Sequence, residues 1–432
     1  MLGRGGATDS GGVTTIRPLT SADADALLDL TDYAFIADPG RPWRDSLLEQ
    51  VDFDNTFGAF RDGEQVGGYL FYDLTMAEPG PLGTVRAQPL PGLSWVTVHP
   101  DHRRRGVLST MIRHHLADLR ERGAAWSGLT ASDPRIYGRF GYAVATLNVR
   151  YRVRQGARLD TPEPVARAAD DVTVRTLFAI DDDATAARLR AITLEGAATA
   201  LGVLTWPERK ERGHLRDVPA SRRDLEPLHA LVATRGGRDV GAVVYRRTSD
   251  WPQQPPNGRL EVQWMTALDA GATLALGRRL VAEELVEQVV LPDRGLDDPL
   301  LWWAGGPRGA EPTVSDGLWL RPVDVGAALS RRGYAAPCDV SVQIADPTCP
   351  WNERRWRLVV GDDGVGRCEP AEGSGTADVE APVQALGAVH LGLRGWAALA
   401  AAGEVVEHRP GAIAELGRAF ATSVAPVGGL EF

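Results

Sequence analysis

The sequence predicts an α+β protein made of two tandem copies of one unit, followed by a third and different α+β domain. Three observations carry this reading. A hairpin, an apolar strand and an amphipathic helix occur twice in the same order. The composition then shifts at residues 308–317. Beyond that point the pattern is a helix, several β-rich stretches and further helices.

The first hairpin is TFGAFRDGEQVGGYLFYDL at 56–74, two strands around an Asp-Gly turn, with Gly67 and Gly68 in the second strand. An apolar strand at 93–98 and a helix at 108–122 follow. The second hairpin, LHALVATRGGRDVGAVVYRR at 228–247, is followed by a strand at 260–267 and a helix predicted over 273–290. The copies span 13–154 and 172–308, and two unrelated α/β domains are the competing reading. The third domain is read as a helix at 323–332, strands at 339–344, 355–360, 366–369 and 375–381, helices at 382–391, 394–402 and 412–420, and an irregular tail from 424. The expected domains are 13–157, 158–310 and 311–432, after a Gly-rich, disordered start at 1–12.

Hydrophobic content of 44% with 24% charged residues is ordinary for a soluble globular chain. A net charge of −10 argues against nucleic acid as the partner and suits polycationic small molecules. Lys210 is the only lysine, which with the abundant Ala, Gly and Pro reads as coding bias of a GC-rich genome. Residues 1–15 lack the apolar core of a signal peptide, and the apolar run at 391–402 is broken by Arg394, so no membrane partner and a cytoplasmic location are expected. Cys338, Cys349 and Cys368 are odd in number and scattered, hence reduced and structural.

The chemistry concentrates in 93–142, which opens LSWVTVHPDHRRRGVLS and closes TASDPRIYGRFGY. A strand running into an Arg-rich turn at a helix start builds a pyrophosphate site, because the first helical N–H groups lack intrahelical acceptors. The turn has three readings: a solvated basic face, a nucleic-acid patch, or a cradle for the coenzyme A pyrophosphate. The cradle is favoured because Gly106 directly follows the arginines, and Val96, Thr97 and Val98 offer a strand edge to amide-rich pantetheine. The second copy has Asp269-Ala270-Gly271-Ala272-Thr273 at the matching place. Without arginines it is expected to be structural, covering or shaping the first site.

The V-x-V, R-R-x-G and Y-G-R-F-G-Y segments resemble the motifs of the GCN5-related N-acetyltransferases. HRRRG-V-L-S with Leu108, TASDPRIYGRFGY and the final Glu431-Phe432 together resemble the Eis (enhanced intracellular survival) family of aminoglycoside acetyltransferases. The resemblance covers essentially the whole chain and is strongest at 93–142 and at 316–328, DGLWLRPVDVGAA. It implies tandem acetyltransferase domains, the second degenerate, then a sterol-carrier-like domain whose tail enters the active site. Acetyl-CoA would be held by Val96, Thr97, Val98, Arg104, Arg105, Gly106, Val107, Leu108, Ser109, Ser132 and Asp133. The last two are equally N-caps of the following helix.

By the same resemblance Tyr137 is the general acid toward the departing thiolate, and the Phe432 carboxylate is the general base. A buried aromatic with its hydroxyl tied up and a frayed terminus are the bland readings of these two. Phe35, Asp38, Trp43, Trp95 and Glu431 would line the acceptor pocket, although any of the aromatics could be core. Carboxylates beside aromatic faces suit a cationic amine. The implied reaction is direct acetyl transfer to a primary amine, without a covalent enzyme intermediate or a metal. Aminoglycosides are the implied acceptors and a hexamer the implied assembly. The rivals are a same-fold enzyme for protein lysine or metabolite amines, and a lipid-binding scaffold with a vestigial site.

Overall fold

The computed structural model describes residues 13–37, 44–49, 51–215, 217, 219, 222, 225–248, 258–373 and 375–432. The start expected to be disordered, 1–12, lies outside them. The chain divides into two compact units, Met1–Tyr72 with Leu93–Asp118, and Asp73–Gly92 with Leu119–Phe432.

In the first unit, strands Thr15–Pro18 and Thr56–Arg61 pair antiparallel, and Thr56–Arg61 pairs in turn with the start of Glu64–Pro79. The Asp-Gly turn forms as read: Asp62 and Gly63 both take positive φ, 52° and 86°, the conformation a two-residue hairpin needs. Helix Ala24–Ala34 buries Leu27 and Leu28, and helix Val107–Glu121 buries Val107, Met111, Ile112 and His115, a single stripe at helical spacing. Gly67 is required by a close approach. A Cβ there would lie 2.8 Å from the Thr97 carbonyl oxygen, so any side chain would push away the strand that carries Val96–Val98.

The second unit contains a seven-stranded sheet ordered Thr313–Asp316, Leu147–Arg154, Val286–Arg294, Gly258–Ala267, Arg238–Thr248, His229–Arg235, Thr173–Leu177. Its core is aliphatic, with Val149, Val243, Val289 and Leu276 fully buried. The helix expected over 273–290 is two elements: helix Ala270–Val281, then strand Val286–Arg294. Leu285 at φ 63° turns the chain between them. Val286, Val289 and Val290 are β-branched and buried, and they pair in parallel with Gly258–Glu261, so β-packing overrides the continuing helical pattern.

The two halves of the repeat also exchange strands. Leu318–Pro322, read with the third domain, pairs antiparallel with Trp126–Thr130. Leu147–Arg154, read with the first copy, pairs with Val286–Arg294 and Thr313–Asp316. A five-stranded sheet follows, ordered Gly366–Pro370, Arg355–Val360, Cys338–Ala345, Val379–Pro382, Val406–Glu407. All three cysteines are free and buried, and burial pushes each thiol up to about 12, which keeps them unreactive. Among the described residues no helix is long and apolar enough to cross a membrane.

Candidate active site

In the first unit the strand Val85–Val98 ends in an irregular geometry. Trp95 takes φ 51°, a left-handed conformation that costs a non-glycine residue about 1–2 kcal/mol and turns the following peptides out of the regular strand alternation. The Trp95 side chain hydrogen-bonds the buried Tyr72 hydroxyl, which fixes the indole. Thr97 is buried, while Val96 and Val98 are half-buried.

Past Val98 the chain is tied back by the His99 N–H to the Val66 carbonyl at 2.9 Å, and then makes a short 3-10 turn at Pro100–His102. Arg104 (φ 61°) and Gly106 (φ 81°) bend it into helix Val107–Glu121. The first backbone bond of that helix runs from Thr110 N–H to Gly106 O at 3.0 Å. Among the described residues the N–H groups of Val107, Leu108 and Ser109 therefore have no backbone acceptor. Arg103, Arg104 and Arg105 are exposed, and among the described residues none is paired with a carboxylate. Free N–H groups beside unneutralised guanidinium groups match a diphosphate in donor set and in charge.

In the second unit, strand Trp126–Thr130 leads into helix Pro134–Tyr137. Asp133 caps that helix, accepting from the Arg135 N–H at 3.0 Å, and an ion pair with the Arg135 side chain at 2.8 Å holds its carboxyl down at about 2. Ser132 does not share the capping; its side chain is exposed and makes no hydrogen bond among the described residues. Tyr137 is 7% exposed, and burial, helped by the Asp133 charge, pushes its hydroxyl up to about 12. The hydroxyl has no hydrogen-bond partner among the described residues, unlike the fully buried Tyr142, whose OH meets Ser127 Oγ at 2.8 Å. Tyr142 is thus the core residue of the pair, and Tyr137 keeps a donor available.

The turn behind Tyr137 is clamped. Gln384 Nε2 donates to the Gly138 carbonyl at 2.9 Å, and Arg321 Nε donates to the Phe140 carbonyl at 2.7 Å. Arg321 is fully buried in a bidentate pair with Asp346, at 2.7 and 2.8 Å. Gly141 at φ 91° lies so close to the Arg321 guanidinium that a Cβ would stand 2.9 Å from Nε.

The tail is anchored along its length, unlike a frayed terminus. Val427 N–H donates to Leu201 O at 2.8 Å, and Gly428 N–H to Leu147 O at 3.2 Å. Phe432 ends on the strand that leads to Tyr137: Thr130 Oγ1 donates to the main-chain oxygen of Phe432, one of its α-carboxylate oxygens, at 3.1 Å. Its ring meets Trp206 edge-on, with centroids 6.2 Å apart. A Cβ on Gly92 would stand 2.6 Å from that ring, so Gly92, paired in parallel with Gly128, leaves the slot the phenyl group fills.

The remaining expected residues divide as follows. Trp95 and the Arg104–Ser109 turn lie in the first unit, together with Phe35, which is 48% exposed at the end of helix Ala24–Ala34. Asp38 and Trp43 lie outside the described residues. Glu431 is exposed in the second unit, beside Asp293, on whose carboxyl its charge acts. Thr130, Gly92, Trp206 and Asp293 were not legible as site residues, since each becomes relevant only through a contact far away in sequence.

Comparisons with known proteins agree with this architecture. An acetyltransferase (GNAT) domain model matches residues 15–145, a second acetyltransferase (GNAT) model matches 202–322, and a sterol carrier protein domain model matches 325–428. The N-acetyltransferase Eis of Mycobacterium bovis is 30% identical over 389 residues, covering 87% of this chain and 88% of that protein. An uncharacterised N-acetyltransferase of Streptomyces coelicolor is 36% identical over 385 residues, covering 88% and 89%. The crystal structure of Eis1 from Mycobacterium abscessus superposes with a TM-score of 0.79 at 29% identity, over 97% of this chain and all of that one. With two acetyltransferase domains, a sterol-carrier-like domain and these relatives, the chain belongs to the Eis N-acetyltransferases of the GCN5-related family.

Proposed function

We propose that the enzyme transfers acetyl from acetyl-CoA directly to a primary amine of a cationic small molecule, the aminoglycosides being the class suggested by the family. Acetyl-CoA supplies the activated acyl group as a thioester. Arg104, Arg105 and the free N–H groups of Val107, Leu108 and Ser109 hold its phosphates, and the main chain of Val96, Thr97 and Val98 orients its amide-rich arm. The division into 13–157, 158–310 and 311–432, a hexameric assembly and action in the cytoplasm belong to the same reading.

Tyr137 stays protonated throughout the working pH range. Full proton transfer from a phenol near 12 to a thiolate with conjugate pKa about 8.5 is uphill by about 5 kcal/mol. Its role is therefore to donate a hydrogen bond to the leaving sulfur as charge develops there, while the departing thiolate takes its proton from water. The Phe432 carboxylate faces the opposite mismatch, since a free α-carboxyl lies roughly 5 units below an alkylammonium. It serves by attracting the ammonium and by passing its proton through water. The observation that carries this reading is the Thr130 tether, which fixes Phe432 on the strand that runs directly into the Tyr137 turn.

Tyr137→Phe tests it. The expected result is unchanged acetyl-CoA affinity by calorimetry and at least a tenfold loss of turnover. Full turnover in this variant removes Tyr137 from the mechanism.

A further inference from the structure

The segment DGLWLRPVDVGAA at 316–328 has no part in the chemistry described so far, yet its strand Leu318–Pro322 holds both feet of the Tyr137 loop. On one side the strand pairs antiparallel with Trp126–Thr130, Leu318 opposite Thr130 and Arg321 opposite Ser127. On the other it pairs with Ala143–Val144, Leu320 opposite Ala143. Residues 131–142, which carry Tyr137, link these two flanking strands and so cross Leu318–Pro322. Within that link, helix Pro134–Tyr137 has four residues and the 3-10 turn Gly138–Phe140 has three. A single helical turn does not hold itself, because the cost of fixing its dihedrals outweighs what its few hydrogen bonds contribute. Its direction must be imposed by its neighbours.

Arg321 is fully buried, and so are Asp346 and Asn352, with which it forms one network. Its Nε donates to the Phe140 carbonyl at 2.7 Å, one terminal nitrogen donates to the Pro322 carbonyl, and the other donates to both Asp346 oxygens at 2.7 and 2.8 Å. Asp346 is fixed in turn by the Cys349 N–H and by Asn352 Nδ2, each at 3.0 Å. Asn352 Oδ1 accepts from the Val325 N–H at 3.1 Å, at the start of helix Val325–Arg331. A buried ion pair is a poor source of net stability, because desolvation offsets the attraction. What the planar guanidinium supplies is geometry. Here one edge of it is locked to the sterol-carrier-like domain, and Nε grips the turn just behind Tyr137.

We infer that Arg321 is a positioning residue for the acetyl transfer: it sets where the Tyr137 hydroxyl stands relative to the Phe432 carboxylate held by Thr130, and so gives the sterol-carrier-like domain a part in aligning the reacting groups. Strand Leu318–Pro322 registers both of them, Thr130 through its pairing with Leu318 and the Tyr137 turn through Arg321. Arg321 acts through the Phe140 carbonyl and needs no contact with a reacting atom. A misplacement of about 1 Å costs on the order of 10²-fold in rate, so a looser grip should show in kcat before it shows in binding. The inference rests on the proposed role of Tyr137 for its effect on rate, but not for the position of the hydroxyl.

The test uses the full-length protein with acetyl-CoA and kanamycin. Arg321→Lys keeps the charge and loses the planar fork. It should lower kcat at least fivefold with both KM values within twofold, and its crystal structure should show the Tyr137 hydroxyl displaced by about 1 Å or more. In the Tyr137→Phe background the same substitution should lower kcat less than twofold further, because two residues that act through one hydroxyl do not add. Should Arg321→Lys not fold, Asp346→Asn takes its place. It keeps the shape of the network, loosens the fork, and should lower kcat at least threefold, again only where Tyr137 is present. Unchanged kcat, equal losses in the two backgrounds, or an unmoved hydroxyl overturns the inference. If kanamycin is not acetylated, or Tyr137→Phe alone keeps full turnover, the proposed function fails instead, and the hydroxyl position in the variant's structure decides the inference by itself.

Discussion

The two copies of the repeat begin their central helices in opposite ways. In the first, Val107–Glu121 starts behind a left-handed turn with three exposed guanidinium groups and free N–H groups. In the second, Ala270–Val281 starts at Asp269, whose carboxylate accepts from the Ala272 N–H at 2.9 Å and pairs with Arg235 at 2.6 Å. One end is left open for an anion; the other is closed by the protein's own anion. A capping carboxylate satisfies the donors and brings negative charge where a diphosphate would have to sit. The comparison teaches that one helix start can be left open or be filled from within: in the second copy Asp269 takes the Ala272 N–H for itself.

The sharpest way to break this contrast is to remove the charge from the open end. Arg104→Ser combined with Arg105→Ser should weaken acetyl-CoA binding about 50-fold, the loss of two charge-assisted contacts that do not add fully. The unaltered chain should bind one acetyl-CoA; two per chain by calorimetry would show that the second copy is not closed by Asp269. A smaller effect should appear with pH. Burial and the Glu431 charge raise the Asp293 carboxyl to about 6, against the opposing pull of Arg150 and Arg294. Below that pH Asp293 is neutral and above it anionic, while alkylamines stay protonated on both sides. Amine affinity should therefore rise about fivefold between pH 5 and pH 7, and the rise should vanish in Asp293→Asn. The smallest effect concerns the clamp. Gln384→Leu removes one donor to the Gly138 carbonyl, and should lower kcat about threefold with KM for acetyl-CoA unchanged, whereas an equal change in KM would mark the contact as merely structural.

Much of this was legible in the sequence, and the limits have physical reasons. Hairpin turns announce themselves through Asp62-Gly63 and Gly236-Gly237, because few residues accept positive φ. The Arg-rich turn is local, so its chemistry could be read residue by residue. Strand Val286–Arg294 was hidden because Val281 and the residues after it prolong a helical pattern that only sheet pairing interrupts. The exchange of Leu318–Pro322 and Leu147–Arg154 between sheets is a matter of long-range register, which leaves no local trace. Thr130 and Trp206 look like ordinary strand residues until the tail reaches them. Asp293 is one acid among many until Glu431 of the tail comes to lie beside it.

The account depends most on Phe432 ending where Thr130 holds it. Steady-state turnover should therefore be compared between the chain as it stands and a form carrying three further residues after Phe432, with acetyl-CoA affinity measured on both. The account predicts at least a 100-fold lower kcat in the extended form, with acetyl-CoA affinity intact. Equal turnover in the two forms would contradict it.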